Sequence, residues 1–190
     1  MGNQLYIDPN HTLEVLQHEW EVSTIASGKY ILGTTHVRWC TAFYGYDVDH
    51  TIGFLAHFDW PFSERAIPQI FGEIEAQSKG KPQIKCFLIG GWNYSLYSNL
   101  TRWLAEKRIK SLVEAGWDIE LNQKEFSTQS SDLKVCFCTM PIQFDIRTGK
   151  LSRYSRYRHL RDKGVPLANA LKVSAQRRHS GDDSPNNSGK

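Results

Sequence analysis

Cys40 and His57 flank a short acidic turn in RWCTAFYGYDVDHTIGFLAHFDWP, a thiol and an imidazole on the two arms of what reads as a β-hairpin. If that hairpin is centred on Val48-Asp49, Cys40 falls opposite His57 and the two side chains share one face. Directly opposed residues of an antiparallel pair hold their Cβ atoms about 4.5–5.5 Å apart, close enough for an imidazole to take a thiol proton and leave a nucleophilic thiolate. A slip of one residue would turn His57 to the other face. The same two residues also fit a plain structural role, since free cysteine is among the most buried residue types and a strand histidine is commonly a hydrogen-bonded core residue. Spacing alone therefore admits both a cysteine hydrolase and an ordinary strand pair.

The elements that must position these groups are mostly strands. WEVSTIA and KYILGTT, separated by a Ser27-Gly28 turn, precede the hairpin; before them LYI reads as a short strand and LEVLQHEW as a short helix after the Asp8-Pro9-Asn10 turn. Ser63 and Glu64 open a helix with Ile67, Ile70, Phe71 and Ile74 on one face, Pro68 in its first turn and Gly80 at its end. IKCFLIGG reads as a buried strand whose Gly90-Gly91 end either admits a substrate or neighbouring loop or makes an ordinary turn. Asn99 is the expected N-cap of a second helix, with Leu100, Trp103, Leu104, Leu112 and Val113 as its core stripe and Gly116 as its stop. WDIEL, LKVCFCTM and IQFDI supply further strands. Strands outnumber helices and cluster along the chain, which favours α+β over regular βαβ winding.

At 190 residues, 40% hydrophobic and 12% aromatic, the chain can bury one substantial core. No apolar run reaches the roughly 18 residues of a membrane span, and Met1-Gly2-Asn3-Gln4 opens without the basic and apolar regions of a signal peptide. The expectation is a soluble, cytoplasmic protein without membrane insertion; export as an effector by a dedicated machine stays open. The cysteines are Cys40, Cys86, Cys136 and Cys138, with no CxxC pair, so reduced thiols without metal or cofactor are expected. A net charge of +3 does not by itself imply nucleic acid. RYSRYRHLRDK interleaves arginines with Tyr154 and Tyr157, but a solvated charged face accounts for most runs of this kind, and no nucleic-acid partner is expected. SAQRRHSGDDSPNNSGK is polar enough to be a disordered tail.

Four segments, in order from about Glu21 to Leu151, resemble one known family. The hairpin is similar to the signature of the CheD-like chemotaxis receptor glutamine deamidases, in which a strand ends T-x-G-x-G-S-C, continues V-A-V-x-L-Y-D and returns as G-G-M-A-H-F-x-x-P. Here Thr34 lies six residues before Cys40, Asp47 seven after it and His57 seventeen after it. ERAIPQIFGEIE resembles the family's next helix, KCFLIGGWN its K-I-F-G-G-A-N strand and turn, and FDIRTGKL its F-D-P-x-T-G-R-V ending. Where the family has two glycines and a serine before its cysteine, this chain has His36, Arg38 and Trp39, which would reshape the approach to the thiol and any backbone oxyanion donors.

The resemblance implies a layered sandwich of mixed and antiparallel β-sheets flanked by helices, in a deamidase domain over residues 1–151 with its core from about residue 20. A basic extension (152–173) and a disordered tail (174–190) would follow. It implies Cys40 as nucleophile, His57 as acid and base, and Thr34 orienting His57 or contacting the substrate carboxamide, with no cofactor. The expected activity is hydrolysis of protein glutamine side chains to glutamate, the partner being a chemoreceptor or another glutamine-bearing protein. Two alternatives stand beside it: a diverged effector deamidase, as among the toxin deamidases related to cytotoxic necrotizing factor, and a non-catalytic interaction protein that keeps the fold.

Overall fold

The computed structural model describes residues 10–35, 37, 40–60, 62–90, 96–123 and 141–154. The expectations placed on LYI, His36, Arg38, Trp39, Gly91, Cys136, Cys138 and the segments after Tyr154 lie outside the described residues.

The chain forms β1 (Thr12–Glu14), β2 (Trp20–Thr24), β3 (Ile31–Thr34), β4 (Thr41–Asp47), β5 (Ile52–Phe58), α1 (Ile67–Ser78), β6 (Ile84–Gly90), α2 (Leu96–Glu114), β7 (Ile119–Gln123), β8 (Ile142–Asp145) and β9 (Lys150–Arg153). Two mixed sheets result, one in the order β1-β3-β8-β9 and one in the order β2-β5-β4-β6-β7, so the class is α+β. Leu32, Ile142 and Phe144 of the smaller sheet pack with Ala42, Tyr44, Leu55, Phe87 and Ile89 of the larger one, making a core between sheets. Phe43, Phe54, Ala56, Phe58, Cys86 and Leu88 leave the other face of the larger sheet and meet Ile67, Ile70, Phe71 and Ile74 of α1 and Ala105 and Ile109 of α2. The larger sheet is thus covered on both faces, which is why its central strands read as nearly unbroken apolar runs. No helix among the described residues is long and apolar enough to cross a membrane.

The strand period of two sorts the hairpin. Ala42 and Tyr44 of β4 and Leu55 of β5 face the smaller sheet, while Phe43, Phe54, Ala56 and Phe58 face the helices. Its register differs from the one expected: Ala42, not Cys40, lies opposite His57, and Thr41 lies opposite Phe58. The cause is Asp47. Buried at 3% exposure, its carboxylate must find donors. It accepts the Thr51 and Ile52 amides at 2.6 and 2.8 Å and the Thr51 hydroxyl at 2.7 Å. Asp47 also accepts the His50 amide through its carbonyl at 2.9 Å, with His50 in the left-handed region at φ 55°. The turn is therefore centred on Asp49-His50, one residue later than Val48-Asp49. That moves the pairing by two residues and preserves the face each side chain occupies.

Three other expectations change. LEVLQHEW is not a helix: β1 pairs in parallel with β3, and the Val15 amide continues the ladder to Gly33 O at 2.7 Å. Strand pairing therefore takes in residues ahead of Trp20, and it also runs past Leu151, where β9 continues to Arg153 and Tyr154 is buried at 1% exposure. Asn99 is not an N-cap, since α2 is already helical at Leu96. The stripe on α2 is turned: Ser98, Thr101, Ala105 and Ile109 are buried, whereas Leu100, Trp103 and Val113 are exposed. Small residues on the inner face let the helix lie close to its neighbours, and bulky ones stay outside, Trp103 under the ammonium of Lys107 at 3.7 Å. Ile109→Ala should accordingly cost about 2–5 kcal/mol in urea unfolding, as core truncations do, and Leu100→Ala about 0.5 kcal/mol or less.

Candidate active site

The smaller sheet brings Thr34 to the site. Along β3 Leu32 turns inward and Gly33 outward, where a Cβ would collide with the ring of Tyr154, so Thr34 turns inward again. His57 points the same way from β5, since Leu55 two residues earlier lies in the core between the sheets. Their side chains meet across the gap: Thr34 Oγ1 and His57 Nδ1 are 2.7 Å apart, with Thr34 fully buried and His57 at 1% exposure. The His57 amide also donates to Glu19 O at 3.0 Å, tying β5 to the start of β2.

Cys40 is brought to the same end of the sheet, but not opposite His57. It lies just ahead of β4, where the strand pairing has stopped at Thr41 and Phe58. If the strand period continued to it, Cys40 and His57 would be diagonal neighbours, a relation that spans about 7–8 Å between Cα atoms. The backbone of Cys40 is held by β6. Gly90 pairs with Thr41 at φ 93°, and the carbonyls of Val37 and Cys40 press so close to its α-carbon that no Cβ fits. The approach allowed by Gly90 is thus that of the Cys40 loop. Arg102 of α2 donates from Nη2 to Gly90 O at 2.8 Å and secures the same corner.

Burial first, and the nearby Asp59 carboxyl second, push the Cys40 thiol up to about 12, against a smaller lowering effect of the Gln17 side chain. In the resting protein Cys40 is a thiol, not a thiolate. Asp59 continues the hairpin register to the position facing Cys40, and its own carboxyl is raised, mainly by burial, against the pull of His18. His18 Nδ1 lies 2.6 Å from Asp59 Oδ1, an ion pair whenever the imidazole is protonated. Gln17, His18 and Glu19 belong to the loop between β1 and β2, which passes from one sheet to the other. No spacing argument about the hairpin reaches Gln17 or His18. Asp59 would have emerged from a hairpin centred one residue later.

The other polar candidates have structural tasks. His50 bonds Ile146 O through Nδ1 at 2.8 Å and stacks on Tyr46 with ring centroids 4.5 Å apart. Cys86 is fully buried on the helix side of β6, where desolvation raises its thiol as well. Among the described residues no three His, Cys, Asp or Glu side chains gather as a metal site. In comparison with known proteins, the chain matches no family model, and no curated protein is significantly similar to it.

The site therefore combines a thiol raised by burial with a histidine held through Nδ1. Thr34→Val should lower stability by about 1–3 kcal/mol in denaturant unfolding, because the buried Nδ1 loses its Thr34 partner, while Thr34→Ser restores most of it. The thiol predicts a second result. Its folded value lies above the ordinary 9.0, so its contribution is intact below pH 9 and is lost as pH rises towards about 12, where the unfolded thiol ionises and the folded one resists. Thermal unfolding between pH 8 and 11 should show wild-type protein losing more stability than Cys40→Ala.

Proposed function

We propose that the chain is a cysteine-dependent protein-glutamine deamidase of the CheD-like kind, with Cys40 as nucleophile and His57 as the proton-transfer group. The observation that carries this reading is the buried Thr34–His57 bond of 2.7 Å at the end of the sheet where Cys40 leads into β4. The reading requires Nδ1–H to donate to Thr34 Oγ1, which leaves Nε2 as the basic nitrogen. The order threonine, cysteine, histidine at the family's offsets supports the same reading.

In this mechanism a glutamine side chain enters beside Cys40, and His57 takes the thiol proton as sulfur attacks the carboxamide carbon. The C–N bond then breaks, His57 returns the proton to the departing nitrogen, ammonia leaves and a thioester remains. Water, deprotonated by His57, attacks the thioester and releases glutamate and the thiol. A thiol that stays protonated until substrate arrives suits such a step, because proton transfer and attack then occur together. The substrate proposed is a glutamine on a folded protein surface, a chemoreceptor or another bacterial or host protein.

A second reading is a binding protein that keeps the deamidase fold. The burial of Cys40, with its thiol raised to about 12, favours it. Mass spectrometry of candidate receptors and lysate proteins incubated with the chain separates the two. The deamidase reading expects ammonia release and a shift of about 1 Da per converted glutamine, abolished in Cys40→Ser and lowered at least about 10²-fold in His57→Ala. No conversion, together with no labelling of Cys40 by chloroacetamide at neutral pH, would leave the binding protein.

A further inference from the structure

Two segments carry most of the large apolar side chains that stay in water. Trp60 and Phe62, on the connection between β5 and α1, and Leu96, Tyr97, Leu100 and Trp103, at the start of α2, are 41–85% exposed. The segments join where the Trp60 and Tyr97 rings stack, with centroids 6.1 Å apart. Leu96, Leu100 and Trp103 follow one another at i, i+4 and i+7 and form one stripe, which Lys107 continues. Single exposed apolar residues are ordinary, but a contiguous group rich in aromatic rings marks an interaction surface. The charges that touch it are positive: the Arg65 guanidinium lies over the Phe62 ring at 5.1 Å, and the Lys107 ammonium over Trp103 at 3.7 Å. Arg108 and Lys110 follow, exposed, on α2. Carboxylates of the same elements are withdrawn. Glu64 is 2% exposed, Asp59 meets His18, Glu106 is half-buried, and Glu114 ends the helix about two turns beyond Lys107.

From this arrangement we infer that the patch docks the protein on an anionic lipid surface. The Trp60–Tyr97 pair, Leu96 and Trp103 enter the boundary between headgroups and acyl chains, and Arg65 and Lys107 pair with headgroup phosphates. Tryptophan and tyrosine, apolar in body and polar at one edge, favour that level of a bilayer. Arginine and lysine beside them lay their stems along the rings and keep their charge at the headgroups. Other occupants fit less well. Two copies of the chain joined through the patch would bring Arg65 and Lys107 of both to one border, cation against cation. A folded protein would need hollows matched to four rings that stand 49–65% exposed, whereas a fluid interface needs no such match. The helix lies on the surface and does not cross it, since no helix among the described residues is long and apolar enough to span a bilayer. Trp60 follows His57 by three residues, so docking turns the Thr34–His57 end of the larger sheet towards the lipid. The docking itself does not depend on the hydrolase reading.

The test is cosedimentation of the full chain with vesicles of phosphatidylcholine alone and of phosphatidylcholine mixed with phosphatidylglycerol. Wild type should bind the mixed vesicles at least about 10-fold more tightly than the neutral ones, with binding that weakens as salt is added and a blue shift of tryptophan fluorescence. Trp60→Ser with Trp103→Ser, and separately Arg65→Glu with Lys107→Glu, should each weaken binding to the mixed vesicles about 10-fold or more. Val113→Ser, an exposed apolar residue further along α2, should leave it unchanged. All of these positions are exposed, so the variants are expected to fold, which circular dichroism checks. Binding that survives in both double variants assigns the lipid contact to other basic segments of the chain and overturns the proposal. Absence of vesicle binding by folded wild type overturns it as well. In that case a dimer by light scattering that is lost in Trp60→Ser with Trp103→Ser gives the patch to a second copy, and a monomer gives it to another protein.

Discussion

The hydrogen bond between Thr34 and His57 is the constraint around which the site is organised. It joins side chains from two sheets inside a layer otherwise filled by leucine, isoleucine and aromatic rings. A buried imidazole without partners would be costly, so the smaller sheet must present an oxygen at that depth. For Thr34 to do so, β3 must pair with β8 in its observed register, and Gly33 must admit the ring of Tyr154 on the outer face. The packing of the two sheets and the orientation of His57 are thus one requirement. It fixes the position and orientation of the His57 ring.

Cys40 is subject to a different balance. Burial, and after it Asp59, oppose the thiolate. A site whose nucleophile rests as an ion pair would invert those signs with a cation beside the sulfur. In the proposed mechanism activation would be deferred to the moment of attack, when the imidazole would receive the proton and the negative charge would pass from sulfur to substrate oxygen. The low polarity that suppresses the thiolate at rest would strengthen any hydrogen bond to that oxyanion. Burial that looks adverse to reactivity at rest is compatible with it in the transition state.

Much of the architecture was legible in the residues. The strands at Trp20, Ile31, Thr41, Ile52, Ile84, Ile119 and Ile142 and the buried row Ile67, Ile70, Phe71 and Ile74 follow from apolar periodicity and turn residues. The errors have specific causes. On α2 the expected stripe holds at Leu112, which packs against the core, but Ser98, Thr101, Ala105 and Ile109 are the buried residues while Leu100, Trp103 and Val113 are exposed. In the hairpin, the buried carboxylate of Asp47 recruited the amides of Thr51 and Ile52 and lengthened the turn, which no strand pattern encodes. Around Thr12 a parallel pairing with β3 overrode a locally helical pattern. Thr34 and His57 lie on strands of regular period, one in each sheet, and Cys40 just ahead of β4, so their positions follow a pattern; the course of the loop between β1 and β2 does not, because it depends on how that loop crosses between sheets.

The register shift bears on the chemistry as well as on the fold. Had Cys40 paired directly with His57, thiol and imidazole would have faced each other across one rung, and Asp59 would have lain beyond the site. Moving the turn by one residue puts Ala42 opposite His57 instead and, with the register continued past Thr41 and Phe58, brings Asp59 to the position facing Cys40. Asp59 in turn meets His18, of the loop between β1 and β2. The carboxylate of Asp47, at the far end of the hairpin, therefore determines which groups surround the thiol, through nothing more than the parity and period of an antiparallel pair.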